Sequence, residues 1–132
     1  MDVIRINGIS YNTIISEITE NFNILYSENT GRTLDNAKMI LDPIGTFYGH
    51  RVTFLRKHGY EDEYDALFME LSKPVSDGIQ LQIVHNQNTI SYDAYVSQGE
   101  RALKKIDPIT KKVYWDRLSV NFIPMEAQVT SG

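Results

Sequence analysis

Ile79-Gln80-Leu81-Gln82-Ile83-Val84-His85-Asn86-Gln87-Asn88-Thr89-Ile90-Ser91-Tyr92-Asp93-Ala94-Tyr95-Val96 decides the fold class. Ile79, Leu81 and Ile83 alternate with Gln80 and Gln82. After the polar turn 85–88, Ile90, Tyr92, Ala94 and Val96 alternate with Ser91, Asp93 and Tyr95. A period of two puts one set of side chains on each face of a half-buried strand, so the segment reads as two paired strands. Downstream, Leu118, Val120 and Phe122 give a third inward face. That run stops at Pro124, which has no N–H to offer a ladder.

Outward from there, the rest of the chain is also strand-rich. Ile4-Arg5-Ile6 and Ile9-Ser10-Tyr11 flank Asn7-Gly8, a dipeptide suited to a type I′ hairpin and also to a looser corner. Ile18, Glu20, Phe22, Ile24 and Tyr26 fall on one face of a predicted strand, with Glu20 the misfit among apolar neighbours. The polar segment 27–36 reads as a loop, longer than the ~2–5 residues of an ordinary hairpin connection. Segments 39–47 and 51–56 read as a strand pair turning at Tyr48-Gly49-His50, with Pro43 marking an edge or a bulge. The sole helical stripe is 60–73. Tyr60, Tyr64, Leu67, Phe68 and Leu71 share a face, Glu61, Asp62 and Glu63 fill the first turn, and Pro74 follows. The expected architecture is a single domain over 1–132, mainly β with one α-helix: a β-sandwich or split barrel with a flanking helix. The tail 128–132 is expected to fray.

Composition narrows function by exclusion. The 132 residues contain no cysteine, which removes disulfides and thiolate metal sites. A net charge of −4 argues against nucleic acid as the main ligand. Neither a secretory leader nor a membrane-spanning run is expected, so the chain reads as soluble and made in the cytoplasm. His50, His58 and His85 are scattered, read as exposed turn residues, and suggest no metal site. No nucleotide-binding glycine motif and no nucleophile elbow is present, so no catalytic residue, metal ligand or cofactor is nominated. The aromatic residues read mainly as core. Tyr48, Tyr95 and Tyr114 are the ones whose exposure would suggest a sugar-binding face.

Charge is unevenly placed. Between Arg101 and Arg117 six bases outweigh two acids, a net +4; over 60–73 five acids outweigh Lys73, a net −4. Two solvated faces of opposite sign is the plain reading. The sharper one has them meet across a repeated head-to-tail contact between subunits. The candidate contact residues are Asn29, Thr30 and Arg32 in the 27–36 loop, and Arg101, Lys104, Lys105, Lys111 and Lys112 in the basic hairpin.

Four stretches together carry a resemblance: Ile6-Asn7-Gly8-Ile9, Glu28-Asn29-Thr30-Gly31-Arg32-Thr33-Leu34-Asp35, Ile44-Gly45-Thr46-Phe47-Tyr48 and Leu118-Ser119-Val120-Asn121-Phe122-Ile123-Pro124-Met125-Glu126. The chain resembles small tail-module proteins of long-tailed bacteriophages and prophages of Gram-positive bacteria. Its order of elements is similar to the tail-tube-like domain that opens distal tail proteins. The resemblance implies a virion protein forming a ring, commonly six-fold, that joins tail tube to baseplate. Its partners would be copies of itself and neighbouring tail and baseplate proteins, with DNA only as passing cargo and no membrane. An acidic balance would suit a bore that DNA crosses without sticking. A tail-completion factor, or a small carbohydrate-binding module of a baseplate, is the alternative.

Overall fold

The computed structural model describes residues 3–33 and 37–130. In chain order the elements are β1 (Ile4–Ile6), β2 (Ile14–Tyr26), β3 (Gly31–Arg32), β4 (Met39–Ile40), β5 (Pro43–Leu55), α1 (Glu61–Leu71), β6 (Ile79–His85), β7 (Asn88–Tyr95), β8 (Gly99–Ile106), β9 (Val113–Pro124) and β10 (Val129–Thr130). The fold is mainly β with one helix, a curled sheet of half-barrel form.

All described strand pairs are antiparallel. One sheet runs β1-β6-β7 and meets the end of β9 at Ala94↔Pro124 and Tyr95↔Ile123. The other runs β2-β5-β9-β8. β9 therefore belongs to both, and the sheet curls around it. Pro124 ends the strand as its chemistry requires. The two expected strands 79–84 and 89–96 form β6 and β7, joined by Asn86-Gln87, with Asn86 at φ 55. Asn7 and Gly8 both take positive φ, and Ile6 and Ile9 exchange two 3.0 Å backbone hydrogen bonds. That is the type I′ turn, with a single bridge standing in for a second strand.

The helix lays Tyr64, Leu67 and Leu71 into a core built from Val52 and Phe54 of β5, Leu81 and Ile83 of β6, and Leu118, Val120 and Phe122 of β9. Phe68 packs at its margin, while Tyr60 lies outside the helix and is exposed. Glu63 and Glu70, on the helix's other sides, accept hydrogen bonds from Asn12 and Asn7, tying the helix to the N-terminal segment.

Three expectations fail. Tyr48-Gly49-His50 is no turn: β5 runs unbroken through it, because β2 pairs with all three residues along one edge and β9 takes up the other edge from His50 onward. The C-terminal tail does not simply fray, since Val129 and Thr130 pair with Thr46 and Gly45; residues 131–132 lie outside the described residues. The alternation in β2 is real, but it does not mark burial over the whole strand. Ile18 packs against the core, whereas Phe22 is 68% exposed.

Candidate assembly surface

The misplaced burial in β2 defines the most distinctive surface of the molecule. β2 and β5 pair along almost their whole length, from Ile14↔Leu55 to Tyr26↔Pro43, with a bulge near Pro43. β9 accompanies β5 only from Phe54 to His50. Beyond His50 the segments 21–26 and 43–49 continue as a ribbon, joined on one edge by the two residues of β10. At ~3.3 Å per residue the ribbon extends some 20–25 Å past its last contact with β9. Its core-side face still carries Phe22 and Ile24, with Tyr26 and Ile44 exposed near its end. A sandwich buries such a face only where a second layer reaches it, and Phe22 stays 68% exposed.

At the ribbon's root sits the misfit of the sequence pattern. Glu20 faces the core side, opposite His50 in the register. His50 is fully buried, not an exposed turn residue. Its Nε2 lies 2.8 Å from Glu20 Oε2, and its Nδ1 lies 2.6 Å from the Tyr92 hydroxyl. His85 Nδ1 reaches the same Glu20 oxygen at 2.8 Å, and Tyr48 packs its ring 5.0 Å from that of His85. An ionised carboxylate only accepts, so Nε2 of His50 carries a proton toward Glu20 and Nδ1 accepts from Tyr92. Burial raises the Glu20 carboxyl, but the hydrogen bonds from His85 and His50 outweigh it and leave it below its ordinary value. Burial lowers His50, and the pull of Glu20 does not restore it. Burial and the Glu20 charge both raise Tyr92. The cluster joins β2 and β5 to β6 and β7, fastening the ribbon's root to the other sheet. Among the described residues no group of three side chains is placed to hold a metal ion.

The ribbon's tip is organised too. Ser27 N–H donates to Asp42 O at 2.9 Å, Asp42 N–H to Thr30 Oγ1 at 2.8 Å, and the Ser27 hydroxyl to the Asp42 carboxylate. Gly31 and Arg32 pair with Ile40 and Met39. Of the expected contact residues, Asn29 is exposed, Thr30 is half-buried under Asp42, and Arg32 turns back to donate to Ala37 O at 3.0 Å. Residues 34–36, which complete the expected loop, lie outside the described residues. Met39, Ile40 and Leu41 are exposed beside it.

The charges do not wait for another subunit. The basic hairpin β8–β9 packs against the acidic helix of its own chain. Arg101 Nη1 meets Asp65 Oδ1 at 2.9 Å, and its guanidinium lies 3.8 Å and 4.6 Å from the ring centres of Phe68 and Trp115. Lys112 comes within 3.9 Å of Glu61. Two of the five proposed hairpin cations, Arg101 and Lys112, thereby face acids of their own chain's helix. Lys105 lies 5.0 Å from the centre of the Tyr114 ring, and Lys104 and Lys111 have no ion pair among the described residues. The hairpin turn is fixed by Asp107, whose Oδ1 accepts from Ile109 N at 2.9 Å and Thr110 N at 3.1 Å. These bonds leave Ile109 89% exposed.

A scan against family models and a search of curated proteins both find no match to this chain. Its reading therefore rests on its own residues. No helix among the described residues is long and apolar enough to cross a membrane. Of the tyrosines singled out for a sugar platform, Tyr95 is exposed beside a groove of about 460 Å³ between ribbon and β9, while Tyr48 and Tyr114 are half-buried elsewhere. Sequence patterning missed the ribbon because Phe22 and Ile24 alternate as core residues do. It missed the root cluster because Glu20, His50, His85 and Tyr92 lie on four different strands. The one available signal was Glu20 itself, a carboxylate on an apolar face that needs a buried partner.

Proposed function

We propose that this protein is a structural component of a bacteriophage tail or baseplate. Copies of it form a ring, six-fold in the form its resemblance implies, that joins the tail tube to the baseplate. It works by shape rather than by transforming a substrate. The observation that carries the reading is the β2–β5 ribbon: an arm fastened at its root and edged by β10, which leaves Phe22, Ile24, Leu25, Tyr26 and Ile44 exposed. A lone two-stranded ribbon with an apolar face is marginal in water and an aggregation hazard unless a partner covers it. An assembly protein needs such a surface; an enzyme does not. Of the stretches that carry the likeness to phage tail-module proteins, 44–48 and the described residues 28–33 lie on this same arm. DNA then passes only as cargo, and neighbouring tail proteins are the remaining partners.

Immunogold labelling of intact virions with antibody against this chain tests the placement. Gold at the junction of tail and baseplate is expected. Purified particles that carry no copy of the chain would overturn the assignment, and a few copies per particle without ring stoichiometry would make it a completion factor instead.

A further inference from the structure

The β8–β9 hairpin ends in an apolar knob. Ile109 is 89% exposed, more than any other large apolar side chain among the described residues, and Leu103, Ile106 and Val113 are exposed on the strands that lead to it. The hairpin projects because β9 pairs with β5 only from Leu118 to Phe122, while its earlier residues continue with β8 past the end of β5, from Trp115↔Leu103 to Val113↔Ile106. The turn itself is tightly held. Asp107 Oδ1 accepts from the backbone N–H groups of Ile109 and Thr110, Asp107 N–H donates to Lys112 O at 2.9 Å, and Lys111 N–H donates to Asp107 O at 2.9 Å. These bonds use only the backbone of residue 109, so nothing in the turn requires an isoleucine there.

The knob is also the basic end of an acidic protein. Residues 103–113 hold Lys104, Lys105, Lys111 and Lys112 against Asp107, a net +3; the whole chain is −4, so taking away +3 leaves −7 on the remainder. All four lysines are exposed. Lys112 stands 3.9 Å from Glu61, and Lys104 and Lys111 have no ion pair among the described residues. Arg56, Lys105 and Lys112 all lie within 5.5 Å of the centre of the Tyr114 ring, which gathers further positive charge at the base of the knob. Lysines on an edge strand keep other strands from pairing with it, and that accounts for Lys104 and Lys105 on β8. It accounts neither for Lys111 and Lys112, which lie outside that strand, nor for an uncovered isoleucine beside them.

A convex apolar tip among lysines matches a surface that is anionic outside and hydrocarbon within. A soluble polyanion would use the lysines and leave Ile109 in water. A protein would need an apolar socket with an acidic rim, whereas a bilayer offers both layers without a matched shape. The acidic remainder of the chain is repelled from the same surface, so this end alone can approach it. We propose that the tip of the β8–β9 hairpin docks on an anionic lipid surface, with Ile109 and Ile106 entering the boundary between headgroups and acyl chains and Lys104, Lys105 and Lys111 meeting the lipid phosphates. Such a contact lies on the bilayer and does not span it. The inference goes beyond the assembly reading and does not rest on it. It gives the hairpin lysines a lipid partner in place of the subunit contact expected of them, and it departs from the resemblance, which implies no membrane.

Co-sedimentation of the purified full chain with lipid vesicles tests this. Partition onto vesicles of phosphatidylcholine mixed with phosphatidylglycerol is expected to exceed that onto phosphatidylcholine alone by about 100-fold, the combined pull of three lysines, and to fall as salt is added. Ile109→Ser is expected to weaken binding about tenfold, the share of an isoleucine side chain moved from water toward hydrocarbon. Lys104→Gln with Lys111→Gln is expected to weaken it about 25-fold. Both variants alter exposed positions, and a urea midpoint equal to that of the unaltered chain keeps a folding defect from posing as lost binding. Ile109→Trp reads the insertion directly: its emission should shift to the blue on the mixed vesicles and be quenched by brominated acyl chains, over the background of Trp115 in the unaltered chain. No binding to the mixed vesicles would overturn the proposal, as would equal binding to both kinds. Binding that Ile109→Ser leaves unchanged would reduce the contact to electrostatic adsorption and overturn it too. Capture of dextran sulfate without capture of vesicles would replace lipid with a soluble polyanion. None of these outcomes bears on placement in the virion, which the labelling experiment reads separately.

Discussion

β2 and β5 each contain two halves with one sequence pattern and two fates. In the half next to the core, Ile15, Ile18, Val52 and Phe54 alternate with polar residues and pack within or against the core. In the distal half, Phe22 and Ile24 alternate with Asn21, Asn23 and Leu25 in the same way and remain uncovered. Strand register runs unchanged through the Glu20↔His50 pair, from Glu17↔Thr53 to Leu25↔Gly45. What differs is the neighbourhood. β9 pairs with β5 only as far as His50, and the opposite sheet reaches past it only where His85 packs against Tyr48. Apolar alternation therefore reports which way a side chain points, and a second layer decides whether it is buried.

The largest expected effect separates the two halves directly. Phe54→Ala removes a fully buried ring and should cost about 3–5 kcal/mol in urea unfolding. Phe22→Ala in the distal half should change the monomer's stability by no more than about 0.5 kcal/mol, as exposed positions do. Equal costs would mean the ribbon is part of the folded core.

Next in size is the ribbon's outer edge. A Cβ on Gly45 would sit 2.7 Å from Val129 O and 2.8 Å from the Ala127 Cβ, both firmly placed, so Gly45→Ala should displace β10 at a cost of about 1–3 kcal/mol. A Cβ on Gly49 would press closest on the end of the Asn21 side chain, at 2.8 Å, which can swing away, with Phe122 O at an ordinary 3.4 Å; Gly49→Ala should cost less. Limited proteolysis of the C-terminal strand reads the difference.

The root cluster gives the comparison a pH axis. His50 is held below its ordinary value in the fold, so the unfolded chain binds the extra proton first. Stability contributed by neutral His50 is complete above about pH 6.5 and is lost as pH falls below it. Glu20, also lowered, adds a second loss beginning below about pH 4.5. Urea midpoints of the unaltered chain should fall between pH 7 and pH 5, and His50→Gln should flatten that stretch of the profile. A profile unchanged by the substitution would remove His50 from the acid response.

The smallest effect concerns the helix. Arg101→Ala should cost about 1–2 kcal/mol through its lost ring contacts, and Arg101→Lys should restore only part of it, because a point charge cannot stack flat between Phe68 and Trp115. Full rescue by lysine would reduce the contact to the exposed ion pair with Asp65.

Much of the fold was legible because it rests on local chemistry. The periodicity of 79–96, the stop at Pro124, the Asn7-Gly8 turn and the helical stripe of Tyr64, Leu67 and Leu71 each require only neighbours in the chain. The candidate contacts were legible in part. Charge separation between hairpin and helix was plain in the sequence, but its meaning was not: Arg101 and Asp65 are 36 positions apart and meet only because the hairpin folds over the helix. The strand through Tyr48-Gly49-His50 was hidden by a glycine whose lack of a side chain reads as a turn and instead makes room for Asn21.

The amino-acid sequence by itself determined the β-rich class, the lone helix, the absence of cysteine chemistry and the faces along each strand, since these depend on dihedral preference and periodicity. Only the tertiary structure decided that β9 stops accompanying β5 at His50, that a misfit glutamate anchors two histidines there, and that Asp65 and Glu61 of the helix face Arg101 and Lys112 of the same chain. Those outcomes are set by where the layers end, and the extent of a layer is a property of the whole packed chain, not of any segment within it.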